Sequence, residues 1–436
     1  GDKVFNAVAG RREFRDHLVR QFPAEEHAID RYMELLSQVG GAISTFAMAR
    51  VLKPWQKTIA KPYLKWKTPD FIFRNTYAVL SEVTEDQDLI AVICGQWGDM
   101  GLPPRQSVFM VHAMIARHYL YGGFYPIGGS WKIAEYIIPK IQAAGGEVFT
   151  YANVEQIVVD EGKVYGVRMS DGHVIECPVV ISSAGVDNTF GHLLPAELVR
   201  SKGYKLSMRE VRPSVGHLCL YIGVQNTAEE LGLPKTNFWI YPHNDYDKAV
   251  ADFRADPAAP FPVVYVSFPS AKDPEYLDRH PGTATIEIVA PAPYEQFERW
   301  KGSTWGKRGE DYESLKAELS ERLLQHLYDK LPQLDGKIDY HELSTPLSTE
   351  WFSAYRHGEL YGLDHTPERL QQDWLTPRTR IPGLWLTGQD ILTCGVTGAM
   401  MAGLLTTSAI IGMRKSAGLL KQIFNPASNG KPGSAA

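Results

Sequence analysis

Cysteine is scarce in this chain of 436 residues: there are four, Cys94, Cys177, Cys219 and Cys394, and none forms a C-x-x-C pair. Neither a zinc knuckle nor a disulfide framework is indicated, and the pattern is compatible with a reducing compartment. The thirteen histidines include no H-E-x-x-H. His112 and His118 are six apart, on different helix faces, so no metal ligand set is read from them. No Ser-His-Asp constellation, carboxylate pair or Walker loop stands out, which leaves hydrolysis and phosphoryl transfer without support. Charge of one sign is not in excess either. The balance of 45 basic against 50 acidic residues gives −5, so no global positive field attracts a nucleic acid. The most telling absence is the G-x-G-x-x-G turn between a strand and a helix. Gly122-Gly123, Gly128-Gly129 and Gly145-Gly146 are doublets without its spacing.

What is present is concentrated near the C-terminus, in Ile381-Pro-Gly-Leu-Trp-Leu-Thr-Gly-Gln-Asp390. Leu384 to Thr387 reads as a short buried strand. Gly388 lets the backbone approach a ligand at the strand end, and Asp390 places an acceptor there. Gly395, Val396, Thr397, Gly398 and Ala399 then open an apolar helix whose first N–H groups are left bare, suited to a phosphate or an electron-rich ring edge. From Ile391 to Met413 there is no charge. A run of that length fits a transmembrane helix, but three glycines and recurring Thr and Ser favour a helix packed on a sheet.

Upstream, Phe14, Leu18 and Phe22 share one helical face. Pro23 opens a second helix with a stripe from Ala28 to Val39, which Gly40-Gly41 is expected to end. Between Arg50 and Arg74, Lys53, Lys57, Lys61, Lys65 and Lys67 alternate with Trp55, Tyr63, Trp66, Phe71 and Phe73. Such a segment suits a membrane interface, and it also suits a solvated lysine face over core aromatics. Val108 to Tyr121 reads as a buried helix. After the loop Tyr125-Pro-Ile-Gly-Gly-Ser130, Ser130 is a candidate N-cap for an apolar stripe, Ile133 to Ile141, kinked at Pro139. Residues 147–177 alternate as a β-meander, and Val179 to Ser183 is an apolar strand running into small residues, as parallel strands do beside a ligand. Strands at 216–224, 238–241, 263–268 and 284–290, rich in Tyr, Trp, Ile and Val, form either an ordinary β core or the floor of a long apolar cavity. Tyr125, Trp239 and Tyr241 are the candidate substrate contacts. Leu315, Leu319, Leu323, Leu327 and Leu331 mark an amphipathic helix ended by Pro332. The tail from 419 to 436 is low in complexity and is expected to be disordered.

Gly358-Glu-Leu-Tyr-Gly-Leu-Asp-His-Thr-Pro-Glu-Arg369, Trp374-Leu, the 381–390 stretch and Gly398-Ala-Met-Met resemble the closing segment of the carotenoid and retinoid flavoproteins. This is the phytoene desaturase and carotenoid isomerase superfamily, and the all-trans-retinol 13,14-reductase branch is the nearest likeness. Gly101-Leu-Pro-Pro104, His112-Ala and Gly122 to Ser130 are similar to that branch too. The resemblance implies an α/β fold of the glutathione-reductase-like type with a discontinuous FAD domain (122–194 and 379–418), an α+β substrate domain (195–378) and a helical part (1–121) facing substrate or membrane. It implies FAD as cofactor, with NAD(P)H a candidate electron donor, and a polyene substrate. Val154 would meet the adenine side through its backbone, and Ser183 and Ala184 would lie along the cofactor. Relatives often carry a basic residue where this chain has Ile127, so that charge must be supplied elsewhere or be absent. The resemblance also places the phosphate-binding turn ahead of the point where this sequence starts, so a preceding segment or a separate chain is expected to complete the site. Saturation of a double bond is the expected reaction; desaturation, isomerisation and a non-catalytic binding role are the alternatives. An intracellular, peripherally membrane-associated protein is the expectation.

Overall fold

The computed structural model describes residues 3–412 and 415–418. Its strands, in chain order, are β1 (Val154–Asp160), β2 (Lys163–Met169), β3 (Val174–Glu176), β4 (Val180–Ser182), β5 (Gly216–Gln225), β6 (Phe238–Ile240), β7 (Val264–Ser267), β8 (Thr283–Ala292), β9 (Ile338–Ser344) and β10 (Leu384–Leu386). Among the described residues they form three sheets, ordered β1-β2-β3, β10-β4 and β6-β7-β8-β5-β9. The chain divides into two units.

The first unit comprises Gly1–Val39, Phe71–Ala152 and Arg212–Leu370 and holds the five-stranded antiparallel sheet. Strict alternation organises it. In β8 the odd-numbered residues are half-buried, while Ala284, Ile286, Ile288, Ala290 and Ala292 are sealed. Leu218, Leu220, Ile222 and Val224 of β5 turn to the same side. Against that face lies the helix Glu310–Lys330 through Leu319, Leu323 and Leu327, with Leu331 just beyond its end. Each such leucine contributes roughly 1.5–3 kcal/mol on removal from water. The helical segments Arg11–Gln21, Gln87–Cys94 and Phe109–Tyr119 also belong to this unit. His112 is a core histidine, buried and hydrogen-bonded to Tyr32 Oη at 3.1 Å, and burial pushes it down to about 4.

The second unit comprises Gly40–Asp70, Asn153–Val211 and Gln371–Ala436. The meander β1-β2-β3 is antiparallel, and β4 and β10 form a parallel pair in the register Val180↔Leu384, Ser182↔Leu386. The helix Gly395–Ile411 follows β10, and Thr406 Oγ1 donates to Leu386 O at 2.9 Å. Phe190 stacks on Tyr204 with centroids 3.8 Å apart, and Trp374 meets both edge-on.

Several local expectations are corrected. The second helix does not end at Gly40-Gly41 but runs Glu26–Val51, because Ala42 and Phe46 prolong the buried stripe and outweigh the glycine cost of about 1 kcal/mol each. Ser130 does not cap its helix: Trp131 is the N-cap of Lys132–Ala143 and no side chain caps it. No residue of that helix is buried. β9 is absent from the sequence reading because Ile338 to Ser344 is largely polar, with only Leu343 sealed. The uncharged run near the C-terminus forms a helix of 17 residues, and no described helix is long and apolar enough to cross a membrane. The expected disordered tail lies outside the described residues.

Candidate functional site

In the second unit, parallel pairing brings the ends of β4 and β10 side by side, and Thr387 N–H donates to Ser182 O at 2.9 Å. Two short connections leave from there. Ser183-Ala184-Gly185 leads to the helix Val186–Gly191, and Gly388 to Cys394 leads to Gly395–Ile411. Gly388 has φ +88°, a conformation that strains any side chain, and its ideal Cβ would stand 3.7 Å from Ser183 O. Gly398 is fixed by packing, because a Cβ there would lie 2.1 Å from Thr393 O. Gly395 meets no atom within 4 Å of its would-be Cβ, and Val396 is 58% exposed. Ser183, Ala184, Gly388, Val396 and Ala399 therefore lie on two neighbouring strand-to-helix turns, with Ser183, Gly395 and Val396 exposed. Val154 opens β1, in the other sheet of this unit, paired with Met169. Asp390 takes an inward role: it is buried, and its Oδ2 accepts from Val186 N–H at 2.7 Å, tying the two turns together.

In the first unit the sheet face opposite the leucine helix gathers aromatic and titratable side chains. Register places Cys219, Val289, Tyr265 and Trp239 in one row across β5, β8, β7 and β6, and Tyr221, Glu287 and Ser267 in the next. Trp239 and Tyr265 have centroids 4.7 Å apart. The Trp239 ring also occupies the space a side chain at Gly98 would need, with a Cβ 2.6 Å from a ring carbon. Beside them Asp99 Oδ2 accepts from Tyr119 Oη at 2.8 Å. Burial pushes Asp99 up to about 6, opposed by the Tyr119 hydrogen bond. Tyr265 and Tyr241 feel its charge. Tyr241 is spent on the backbone, its hydroxyl donating to Gly95 O. Tyr125 lies with the Lys272 ammonium 5.9 Å from its ring centroid. His217 is held down to about 4 by burial, and its Nδ1 has no hydrogen-bond partner among the described residues.

Of the predicted substrate contacts, Trp239 belongs to this face, Tyr125 approaches it through Lys272, and Tyr241 turns its hydroxyl to main chain. Sequence reasoning missed Asp99, Tyr119, Lys272 and Glu287. For Glu287 a signal existed: a lone charge between Ile286 and Ile288 must stand on the face opposite the core. For Asp99 none did, since its environment comes from distant strands.

Two outcomes follow. Asp390→Ala should lower stability by about 1–3 kcal/mol by leaving the Val186 N–H buried and unpaired, with Asp390→Asn retaining most of it; thermal melts of both variants measure this. Because burial raises Asp99 above its unfolded value, the folded state holds its proton more tightly. This contribution is complete below the unfolded pKa of 3.8 and is lost as pH rises through about 6. Asp99→Asn should flatten the decline in Tm between those limits, and an unchanged slope would assign the decline to another group.

No protein-family model matches the chain. An all-trans-retinol 13,14-reductase from Macaca fascicularis is 37% identical over 426 residues, covering 94% of this chain and 70% of its own length. A Danio rerio protein named inactive all-trans-retinol 13,14-reductase is 29% identical over 431 residues, with the same coverage of 94% and 70%. Among solved structures, an oxidoreductase from Methanosarcina mazei aligns with a TM-score of 0.52 at 16% identity, covering 85% of this chain and 75% of its own. The expected two-domain oxidoreductase fold is thus borne out. With more than a third of its residues shared across nearly its whole length, the chain belongs to the all-trans-retinol 13,14-reductase family.

Proposed function

We propose that this protein is an FAD-dependent oxidoreductase that saturates a carbon–carbon double bond of a retinoid-like polyene. The observation that carries the reading is the 37% identity over 94% of the chain to a reductase of that name, joined to a sheet face floored by Trp239, Tyr265 and Val289. Ser183, Ala184, Gly388, Val396, Gly398 and Ala399 would hold the FAD against bare main chain, with Val154 on the adenine side. FAD, when bound, supplies hydride chemistry at its N5.

The chain's own residues do the rest. Saturation also needs a proton, and the Tyr119 hydroxyl, hydrogen-bonded to Asp99 in a half-buried setting, holds one. Apolar and aromatic side chains in the neighbouring row exclude water from a hydrocarbon. NAD(P)H is the proposed electron donor.

A further strand–turn–helix element, from a preceding segment or a separate chain, is proposed to complete the cofactor site. In support, the parallel sheet β10-β4 has two strands among the described residues, and Val179 and Ile181 are 45% and 49% exposed, whereas parallel sheets are ordinarily covered on both faces. Residues 50–74 are the proposed membrane-facing segment. In the helix Pro54–Lys67 no residue is buried, and Trp55, Ile59, Tyr63 and Trp66 form an exposed stripe beside Lys61 and Lys65. Aromatics that would be core in a solvated lysine helix are outside here, as an interfacial helix requires.

The relative named inactive supports a second reading, a family member that binds its ligands without turnover. Flavin-loaded protein reduced anaerobically and mixed with a panel of retinoids and carotenoids separates the cases. Reoxidation by a retinoid, with a product heavier by two hydrogens, is expected. An isomer of unchanged mass would assign isomerisation, and no reoxidation by any polyene would leave the binding role. Flotation with anionic liposomes should carry the protein upward, and Trp55→Ala with Trp66→Ala should release it; absence of wild-type binding would remove the membrane assignment.

A further inference from the structure

The proton in the proposed chemistry sits between Tyr119 and Asp99, and neither belongs to the sheet. Asp99 closes the short turn Trp97–Asp99, which follows the helix Gln87–Cys94. A helix end leaves carbonyl oxygens without intrahelical donors. Along this helix end and turn, phenols supply the donors. Tyr246 Oη donates to Ala91 O at 2.9 Å, Tyr241 Oη to Gly95 O, and Tyr361 Oη to Gly98 O at 3.0 Å. The three tyrosines lie far along the chain from the carbonyls they bind, so the path of this segment is set from outside it.

The contact made by Tyr361 differs from the other two in where it acts. The Gly98 carbonyl belongs to the planar peptide unit that ends at the Asp99 Cα, so a donor on its oxygen fixes the root of the Asp99 side chain. Two rings close on the main chain at the same place. A Cβ at Gly98 would lie 2.6 Å from a ring carbon of Trp239, and one at Gly101, where φ is +79°, would lie 3.0 Å from a ring carbon of Tyr361. Tyr361 is itself anchored, its N–H donating to Ser214 Oγ at 2.8 Å. We propose that Tyr361 is a positioning residue whose hydrogen bond to Gly98 O orients the Asp99 carboxylate toward the Tyr119 hydroxyl. The titratable groups that face Asp99 are phenols, Tyr119 from the helix Phe109–Tyr119, Tyr265 from β7 and Tyr241 just beyond β6. The tilt of the carboxylate therefore decides which hydroxyl it holds, and a small rotation of one peptide unit changes that tilt. Ala91 O lies two helical turns earlier, and a donor there steadies the helix end without reaching the Asp99 side chain.

The use of this arrangement rests on the reading of Tyr119 as proton donor, and the experiment keeps the two separable. Tyr361→Phe keeps the ring against Gly101 and removes the donor to Gly98 O. Tyr246→Phe removes a comparable donor from Ala91 O and serves as the structural control. The first readout needs no ligand: it is the pH range over which Tm declines. The Tyr119 hydrogen bond opposes the rise that burial imposes on Asp99. Loosening it in Tyr361→Phe should therefore move the upper end of that range above the wild-type value of about 6. The second readout is the rate at which all-trans-retinol reoxidises the anaerobically reduced, flavin-loaded protein. In Tyr361→Phe it should fall about fivefold, the worth of one hydrogen bond. Tyr246→Phe should lower Tm and leave both readouts at their wild-type values. An unmoved pH range in Tyr361→Phe, or an equal movement in Tyr246→Phe, would overturn the positioning role. A range that moves in Tyr361→Phe, with the reoxidation rate unchanged both there and in Tyr119→Phe, would uphold the positioning of Asp99 and overturn Tyr119 as the proton donor.

Discussion

The constraint on which this architecture depends is the two-residue period of β5 and β8. Ten consecutive residue pairs hold these strands in register, and one face is committed to the core that includes the leucines of Glu310–Lys330. A strand has only two faces. Once Leu218, Leu220, Ile286 and Ile288 are in the core, Cys219, Tyr221, Glu287 and Val289 have no choice of side. The face that bears Tyr221 and Glu287 is the geometric complement of the hydrophobic one, and a slip of one residue would bury Glu287 and expose four aliphatic side chains.

On that complement, partial desolvation governs the electrostatics. Asp99, Glu287 and Lys272 are all shifted toward their neutral forms, burial being the leading cause in each. Asp273, at the margin of the same unit, goes the other way: against its burial, the Gly128 N–H and the Arg279 guanidinium hold its carboxyl below the ordinary range. A charge in a half-buried place carries a free-energy cost that a hydrogen-bonding neighbour relieves. The phenols of Tyr119, Tyr241 and Tyr265 around Asp99 share this character, each raised by burial first.

The second unit meets a different constraint, the close approach of main chain to main chain at two turns. Glycine does the work at two positions for two reasons. Gly388 needs a positive φ, and Gly398 must pass a carbonyl oxygen at a distance no Cβ tolerates. Asp390 then pins one turn to the other from within, so its contribution to a cofactor site is the shape of the turn rather than a contact.

Much of this was legible beforehand. Alternation gave β5, β7 and β8, the four-residue leucine repeat gave the helix beneath them, and the Gly388 and Gly398 turns were visible as small residues after an apolar strand. The missed elements have physical causes. β9 is too polar to show alternation, and the Gly40-Gly41 doublet is overridden by packing on both sides. By itself the sequence determined which faces are apolar and where the chain must turn, because those follow from local period and backbone sterics. Only the tertiary structure decided that Asp99 meets Tyr119, that Lys272 stands near Glu287 without an ion pair, and that Trp55 and Trp66 face outward, because desolvation and pairing depend on neighbours distant along the chain.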